Sequence, residues 1–125
     1  MLIRVISMCV FVAALVAIPA TSAKDGDVLV RGTCTSASSS KLKLSEEDGR
    51  IEVEFEVDQN RTGVRWTVVL RRPTRVVFQG TRITRGPSGS FELRRVVSDT
   101  AGGDRIIARA TSRSGEVCRA AATFR

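Results

Sequence analysis

The side chains of this 125-residue chain that could do chemistry are mostly arginines, which outnumber lysines seventeen to three and give a formal net charge of +7 at pH 7. Guanidinium groups bind carboxylate, sulfate or phosphate groups through paired hydrogen bonds. The chain contains neither histidine nor tyrosine, so it lacks the commonest general base and the commonest metal ligand. These residue types favour the binding of anions over acid–base catalysis, and we expect no enzyme, no cofactor and no metal.

Three other groups of polar residues have simple interpretations. The acidic run at residues 46–48 lacks the alternating oxygen ligands of a calcium loop, and the tip of a solvated hairpin accounts for it. Residues 60–62 match the glycosylation pattern but also suit a turn. The serines within residues 36–40 have no histidine to activate them, and only Lys41 or Lys43 could serve as a base.

The N-terminal segment has the pattern of a secretory signal peptide. Arg4 precedes an apolar run from Val5 to Ile18, and small residues follow up to Ala23. The run is shorter than the roughly 20 residues of a membrane-spanning helix, although an anchor is the alternative. We predict that residues 1–23 are cleaved, and that residues 24–125 form one mature domain without a transmembrane segment. We expect this domain to be secreted or attached to the cell envelope.

The cysteine count is consistent with export. Cleavage would remove Cys9, which lies inside the apolar run, and would leave Cys34 and Cys118. Paired cysteines in an exported chain form disulfides because the compartment is oxidising. We therefore predict a Cys34–Cys118 disulfide, with two free thiols as the alternative.

Apolar and polar residues alternate along the chain after residue 23, which is typical of half-buried β-strands. The clearest case is residues 50–58, where four apolar side chains face one side and four acidic side chains face the other. Turn signals such as Asp48-Gly49 recur between these segments. The pattern predicts an all-β, antiparallel sandwich or barrel of seven or eight short strands at residues 27–34, 41–44, 50–58, 64–71, 76–83 with a bend or bulge at Gly80, 90–97, 105–113 and 116–124.

Two sites in these strands resemble the immunoglobulin-like β-sandwich. Trp66 lies midway along the third long strand, where that superfamily keeps a core tryptophan. Residues 104–108 resemble the start of its penultimate strand, with Ile106 in place of the corner tyrosine and Ala108 in place of the second core cysteine. The chain is also similar to small exported proteins of G+C-rich bacteria. The resemblance implies an immunoglobulin-like sandwich with Trp66 in its core, but no particular reaction.

An immunoglobulin-like strand order would gather many arginines on one face. The outward residues of segments 64–71, 105–113 and 116–124 would then share one sheet surface, while the acidic stripe of residues 52–58 would lie on the other sheet beside Arg94. We name the first surface the arginine face; its basic residues are Arg65, Arg71, Arg105, Arg109, Arg113, Arg119 and Arg125.

The arginine face carries no Asp or Glu, so it would attract anionic envelope or extracellular polymers. It also lacks aromatic side chains for base stacking, so we expect no sequence-specific nucleic-acid binding. The simpler interpretation is that arginine-rich coding fills any solvent face.

The sequence therefore favours a secreted, non-enzymatic binding or structural module. A secreted inhibitor or effector that presents a loop, for example residues 86–89, is the alternative, and a small hydrolase is a distant third.

Overall fold

The computed structural model describes residues 26–125, which fold into two antiparallel β-sheets and contain no helix. The predicted signal peptide and Cys9 lie outside the described residues. Within residues 26–125 the strands are β1 (Val28–Arg31), β2 (Thr33–Cys34), β3 (Ser39–Glu47), β4 (Arg50–Asp58), β5 (Arg65–Arg72), β6 (Arg75–Ile83), β7 (Ser90–Ser98), β8 (Asp104–Ser112) and β9 (Val117–Phe124). Nothing in this part of the chain forms a helix long and apolar enough to cross a membrane.

The first sheet has the order β1-β3-β4-β7 and the second has the order β2-β9-β8-β5-β6. The predicted all-β, antiparallel architecture is therefore confirmed. The strand order of the first sheet differs from that of an immunoglobulin domain. There, the second and third strands belong to opposite sheets, whereas β3 and β4 here pair with each other as a hairpin.

The core lies between the two sheets and follows the predicted strand phases. Ile51, Val53, Phe55 and Val57 of β4 are fully buried, as the alternation in residues 50–58 predicted. Trp66 of β5 is also fully buried, with its ring centroid 6.0 Å from that of Phe91. Its indole N–H donates a hydrogen bond of 3.1 Å to Oε1 of Gln59, which satisfies the one polar group that its burial would otherwise leave unpaired.

The β3–β4 hairpin closes at Asp48-Gly49, as predicted. Both residues have left-handed backbone conformations, with φ of 47° and 74°, as a two-residue hairpin turn requires. Oε1 of Glu46 accepts a hydrogen bond of 2.7 Å from the amide of Gly49. The acidic run at residues 46–48 thus has a structural role in the turn.

The segment predicted as one strand at residues 27–34 is divided between the sheets. β1 pairs with β3, and β2 pairs with β9, so the chain changes sheet at Gly32. A Cβ at this position would overlap the hydroxyl of Ser40 and the carbonyl oxygen of Arg119, so only glycine permits the crossing. Immediately after it, Cys34 is paired with Cys118 across β2 and β9 and is bridged to it, as the sequence predicted.

One further local prediction was misplaced. The irregularity expected at Gly80 occurs instead between Leu70 and Arg71, where the register of β5 against β6 shifts. Gly80 has a different role, because the ring of Phe78 lies over it and a Cβ would approach that ring to 2.7 Å. The glycine therefore makes space for an aromatic side chain at the edge of the core.

Candidate anion-binding face

The structure brings the seven predicted arginines together on the outer surface of the second sheet. β9, β8 and β5 are adjacent in the sheet order, and the outward residues of these strands are in register. All seven arginines are exposed; Arg113 and Arg125 follow directly after β8 and β9. The acidic stripe lies on the first sheet, where Glu54 pairs with Arg94, as predicted.

The adjacent strand β6 extends this face with uncharged residues that were not among those predicted to lie on it. Gln79, Thr81 and Ile83 lie opposite Val69, Thr67 and Arg65. The signal that would have placed them is the short connection at Pro73 and Thr74, because so brief a link is typical of a hairpin within one sheet. The arginine face therefore spans four long strands.

Two pairs of arginines on this face lie directly opposite each other on neighbouring strands. Arg109 of β8 is the register partner of Arg119 of β9. Arg113 donates a backbone hydrogen bond of 3.0 Å to the carbonyl oxygen of Arg65, next to the Trp66–Ser112 pair. Residues paired in this way have Cβ atoms about 5 Å apart, and like charges there are destabilising. We name these the two arginine pairs.

No ion pair or side-chain hydrogen bond within residues 26–125 involves any of the seven guanidinium groups. Their charges therefore have no internal counterion in this part of the chain. The electrostatic potential of the arginine face is therefore positive, because the charges of neighbouring guanidinium groups add and no negative charge lies among them.

The outer surface of the first sheet has the opposite character. Nζ of Lys41 lies 3.4 Å from a carboxylate oxygen of Glu56, and Arg94 lies 2.8 Å from Glu52 and 3.5 Å from Glu54. Burial and a hydrogen bond shared with Glu52 raise the pKa of Glu54. The charges are of both signs, because five basic residues share this surface with seven acidic ones: Arg31, Lys41, Lys43, Arg50 and Arg94 with Asp27, Glu47, Glu52, Glu54, Glu56, Asp58 and Glu92.

Two acidic residues near the second sheet are buried and bound to partners. Nη1 of Arg72 lies 2.6 Å from Oδ1 of Asp104, and its other terminal nitrogen donates to the carbonyl oxygen of Ser98. Burial alone would raise the pKa of Asp104, but hydrogen bonds from Thr100 and Arg72 outweigh it and lower this pKa to about 2. Glu116 accepts a hydrogen bond of 3.1 Å from the amide of Ser38. Neither carboxylate neutralises the arginine face.

Two recesses on the arginine face differ in the chemistry of their floors. The arginine recess, about 380 Å³ in volume, is lined by Val69, Arg71, Ile107, Arg109 and Arg119. The threonine recess, about 490 Å³, is lined by Arg65, Thr67, Thr111, Ser112 and Arg113. Each recess contains one of the two arginine pairs. The first combines guanidinium groups with an apolar floor, and the second combines them with hydroxyl groups.

The other candidate features have structural roles. The turn at residues 86–89 is fixed by hydrogen bonds of 3.0 Å from the amide of Gly89 to Arg85 and from the amide of Gln59 to Gly89. Among the described residues, no group of three or more His, Cys, Asp or Glu side chains could hold a metal ion.

Comparisons with known proteins add no assignment to these observations. No protein-family model, no curated protein and no solved structure matches the chain. The function is therefore inferred from the chemistry of the arginine face.

Proposed function

We propose that this protein is a secreted, non-enzymatic binding module whose arginine face contacts anionic polymers of the cell envelope or the extracellular space. One observation carries the proposal. Seven exposed arginines share one sheet surface that holds no Asp or Glu, while the other sheet surface of the same domain carries charges of both signs that form ion pairs.

This segregation argues against arginine-rich coding as a sufficient explanation. If arginine only filled solvent positions, both outer surfaces would carry it with a similar share of acids. The two arginine pairs add a cost in stability because their like charges repel. A bound polymer would remove this repulsion, since its carboxylate, sulfate or phosphate groups can accept two hydrogen bonds from one guanidinium group.

Two further observations support export and the immunoglobulin-like resemblance as parts of the proposal. The Cys34–Cys118 disulfide is the kind of bond that persists in oxidising compartments. The order β9-β8-β5-β6 in the second sheet matches the order G-F-C-C′ in one sheet of a variable-type immunoglobulin domain.

The test compares two triple variants that lose the same net charge. One variant replaces Arg71, Arg109 and Arg119 of the arginine face with Gln. The control variant replaces Arg31, Arg50 and Arg85 with Gln; these residues are exposed, lie off the arginine face and form no ion pair among the described residues. The measurement is the NaCl concentration that elutes each protein from immobilised dextran sulfate.

We expect the arginine-face variant to elute at much lower salt than the control variant, which should stay close to the wild type. Equal losses in both variants would mean that only net charge matters and that no binding face exists. If the wild type is not retained at 0.15 M salt, where the screening length is about 8 Å, the proposal is wrong.

A further inference from the structure

Three threonines form a row across the arginine face. Thr67 of β5 pairs with Thr81 of β6 on one side and with Thr111 of β8 on the other. Neighbouring strands are about 4.8 Å apart, so the three hydroxyl groups form a line of that spacing. Within the described residues, none of these hydroxyls takes part in a hydrogen bond. Each can therefore donate to and accept from a ligand.

The Arg65–Arg113 pair lies beside this row, two residues further along β5 and β8 from Thr67 and Thr111, and lines the threonine recess with them. Two guanidinium groups suit a carboxylate or sulfate, and a line of hydroxyls beside them suits the hydroxyl groups of a sugar. We infer that the threonine recess binds an acidic sugar unit of an anionic polysaccharide, an inference that rests on the function proposed above.

The spacing of arginines along β8 indicates how the rest of such a polymer would lie. Arg105, Arg109 and Arg113 follow one another at intervals of four residues on the same side of the strand, which corresponds to about 13 Å between successive guanidinium stems. A linear acidic polysaccharide along β8 would place one acidic unit in the threonine recess and another against Arg109 and Arg119 in the arginine recess. The acidic groups of the polymer would then neutralise both arginine pairs.

The composition of the face favours a polysaccharide over a single-stranded nucleic acid. Proteins that bind single strands stack bases on aromatic rings, and the outward residues of β5, β6, β8 and β9 include no aromatic side chain. Hydroxyl groups that bind sugars and guanidinium groups that bind acids are present instead.

The test changes the hydroxyls without changing any charge. Thr67→Val and Thr111→Val together keep the shape and the strand preference of the side chains. A matched control combines Thr33→Val in β2 with Thr123→Val in β9. Both threonines lie on the same outer surface of the second sheet as Thr67 and Thr111, but outside the threonine recess. Binding is measured by calorimetry with an oligogalacturonate of ten units, and separately with polyphosphate of equal charge, which has no hydroxyl groups on its repeating units.

We expect the Thr67/Thr111 variant to bind the oligogalacturonate roughly five- to thirtyfold more weakly than the wild type, as the loss of two hydrogen bonds requires. Its affinity for polyphosphate, its thermal midpoint and the behaviour of the control should be unchanged. If this variant binds the oligogalacturonate as tightly as the wild type, the threonine recess is not a sugar site, although the arginine face would stand. Tighter binding of the wild type to a single-stranded oligonucleotide than to the oligogalacturonate would also overturn the inference. Failure of the wild type to bind either polyanion would instead refute the proposed function.

Discussion

The same substitution on the two outer sheet surfaces should change stability in opposite directions. Arg119 of β9 lies directly opposite Arg109 on the neighbouring strand β8. It has no counterion within residues 26–125, so Arg119→Gln removes a repulsion between like charges. Arg94 lies 2.8 Å from Glu52 and 3.5 Å from Glu54, so Arg94→Gln removes an attraction. We expect the first variant to be more stable than the wild type and the second to be less stable.

The magnitudes follow from the local geometry. A directly opposed like-charge pair on neighbouring strands costs about 0.2–1 kcal/mol, so Arg119→Gln should raise the midpoint of thermal unfolding by about 1–6 °C. The Arg94 side chain is 62% exposed, and solvent screening limits such an ion pair to at most about 1 kcal/mol. Arg94→Gln should therefore lower the midpoint by a similar amount.

The assay is thermal unfolding followed by circular dichroism at 0.05, 0.15 and 1 M NaCl. The difference between the two variants should shrink as salt rises, because the screening length falls to about 3 Å at 1 M. Dextran sulfate added at low salt should raise the midpoint of the wild type more than that of Arg119→Gln, since a ligand that binds the native state more tightly stabilises it more.

Two results would refute this reasoning. If Arg119→Gln destabilises the protein as much as Arg94→Gln does, the arginine pair carries no repulsion, and the exposed arginines are neutral fillers of the surface. If the two variants differ equally at 0.05 and 1 M salt, the difference comes from packing and not from charge.

Two further predictions concern the scaffold. Reduction of the Cys34–Cys118 disulfide opens a loop with a sequence separation of 84 residues, for which chain entropy predicts a loss of about 4 kcal/mol in the free energy of unfolding. The thermal midpoint should therefore fall by more than about 10 °C. An unchanged midpoint in a protein whose two thiols can both be titrated would contradict this prediction. The pKa of Asp104 is about 2 instead of 3.8, so its hydrogen bonds contribute about 2 kcal/mol at pH values above 4. This contribution is lost as the pH falls through about 2. Urea unfolding between pH 5 and 2 should show this loss in the wild type and a smaller one in Asp104→Asn; equal losses in both proteins would exclude Asp104 as the cause.

The sequence predicted the strands well because each strand is half-buried and its alternation records which side faces the core. The Ile51–Val57 phase, the Asp48-Gly49 turn and the inward position of Trp66 all follow from local patterns. The crossing at Gly32 does not, because the alternation of side chains continues through it. What separates β1 from β2 is a close approach to Ser40 and to the backbone of Arg119, and these contacts come from distant parts of the chain.

The candidate site was predictable as a set of residues but not as an arrangement. The outward phase of three segments, together with the assumption that these segments are neighbours in one sheet, selects all seven arginines. The opposition of Arg109 to Arg119, and of Arg65 to Arg113, depends on the register between strands, which no single strand encodes. The threonine row depends in addition on the position of β6 beside β5. The features that carry the functional proposal therefore required the paired sheet.

The arginine face and the buried ion pair arise from the same short segments of sequence. Arg71 and Arg72 are adjacent in β5, and Asp104 and Arg105 are adjacent in β8. Because successive side chains of a strand point to opposite faces, Arg72 and Asp104 form the buried ion pair, while Arg71 and Arg105 lie on the arginine face. Arg71 and Arg105, which face outward, have no ion-pair partner among residues 26–125. Arg72 is thus held in a buried ion pair, whereas Arg71 forms no ion pair or side-chain hydrogen bond among residues 26–125. A ligand that neutralises the two arginine pairs, as proposed above, would account for the concentration of seven arginines on this face.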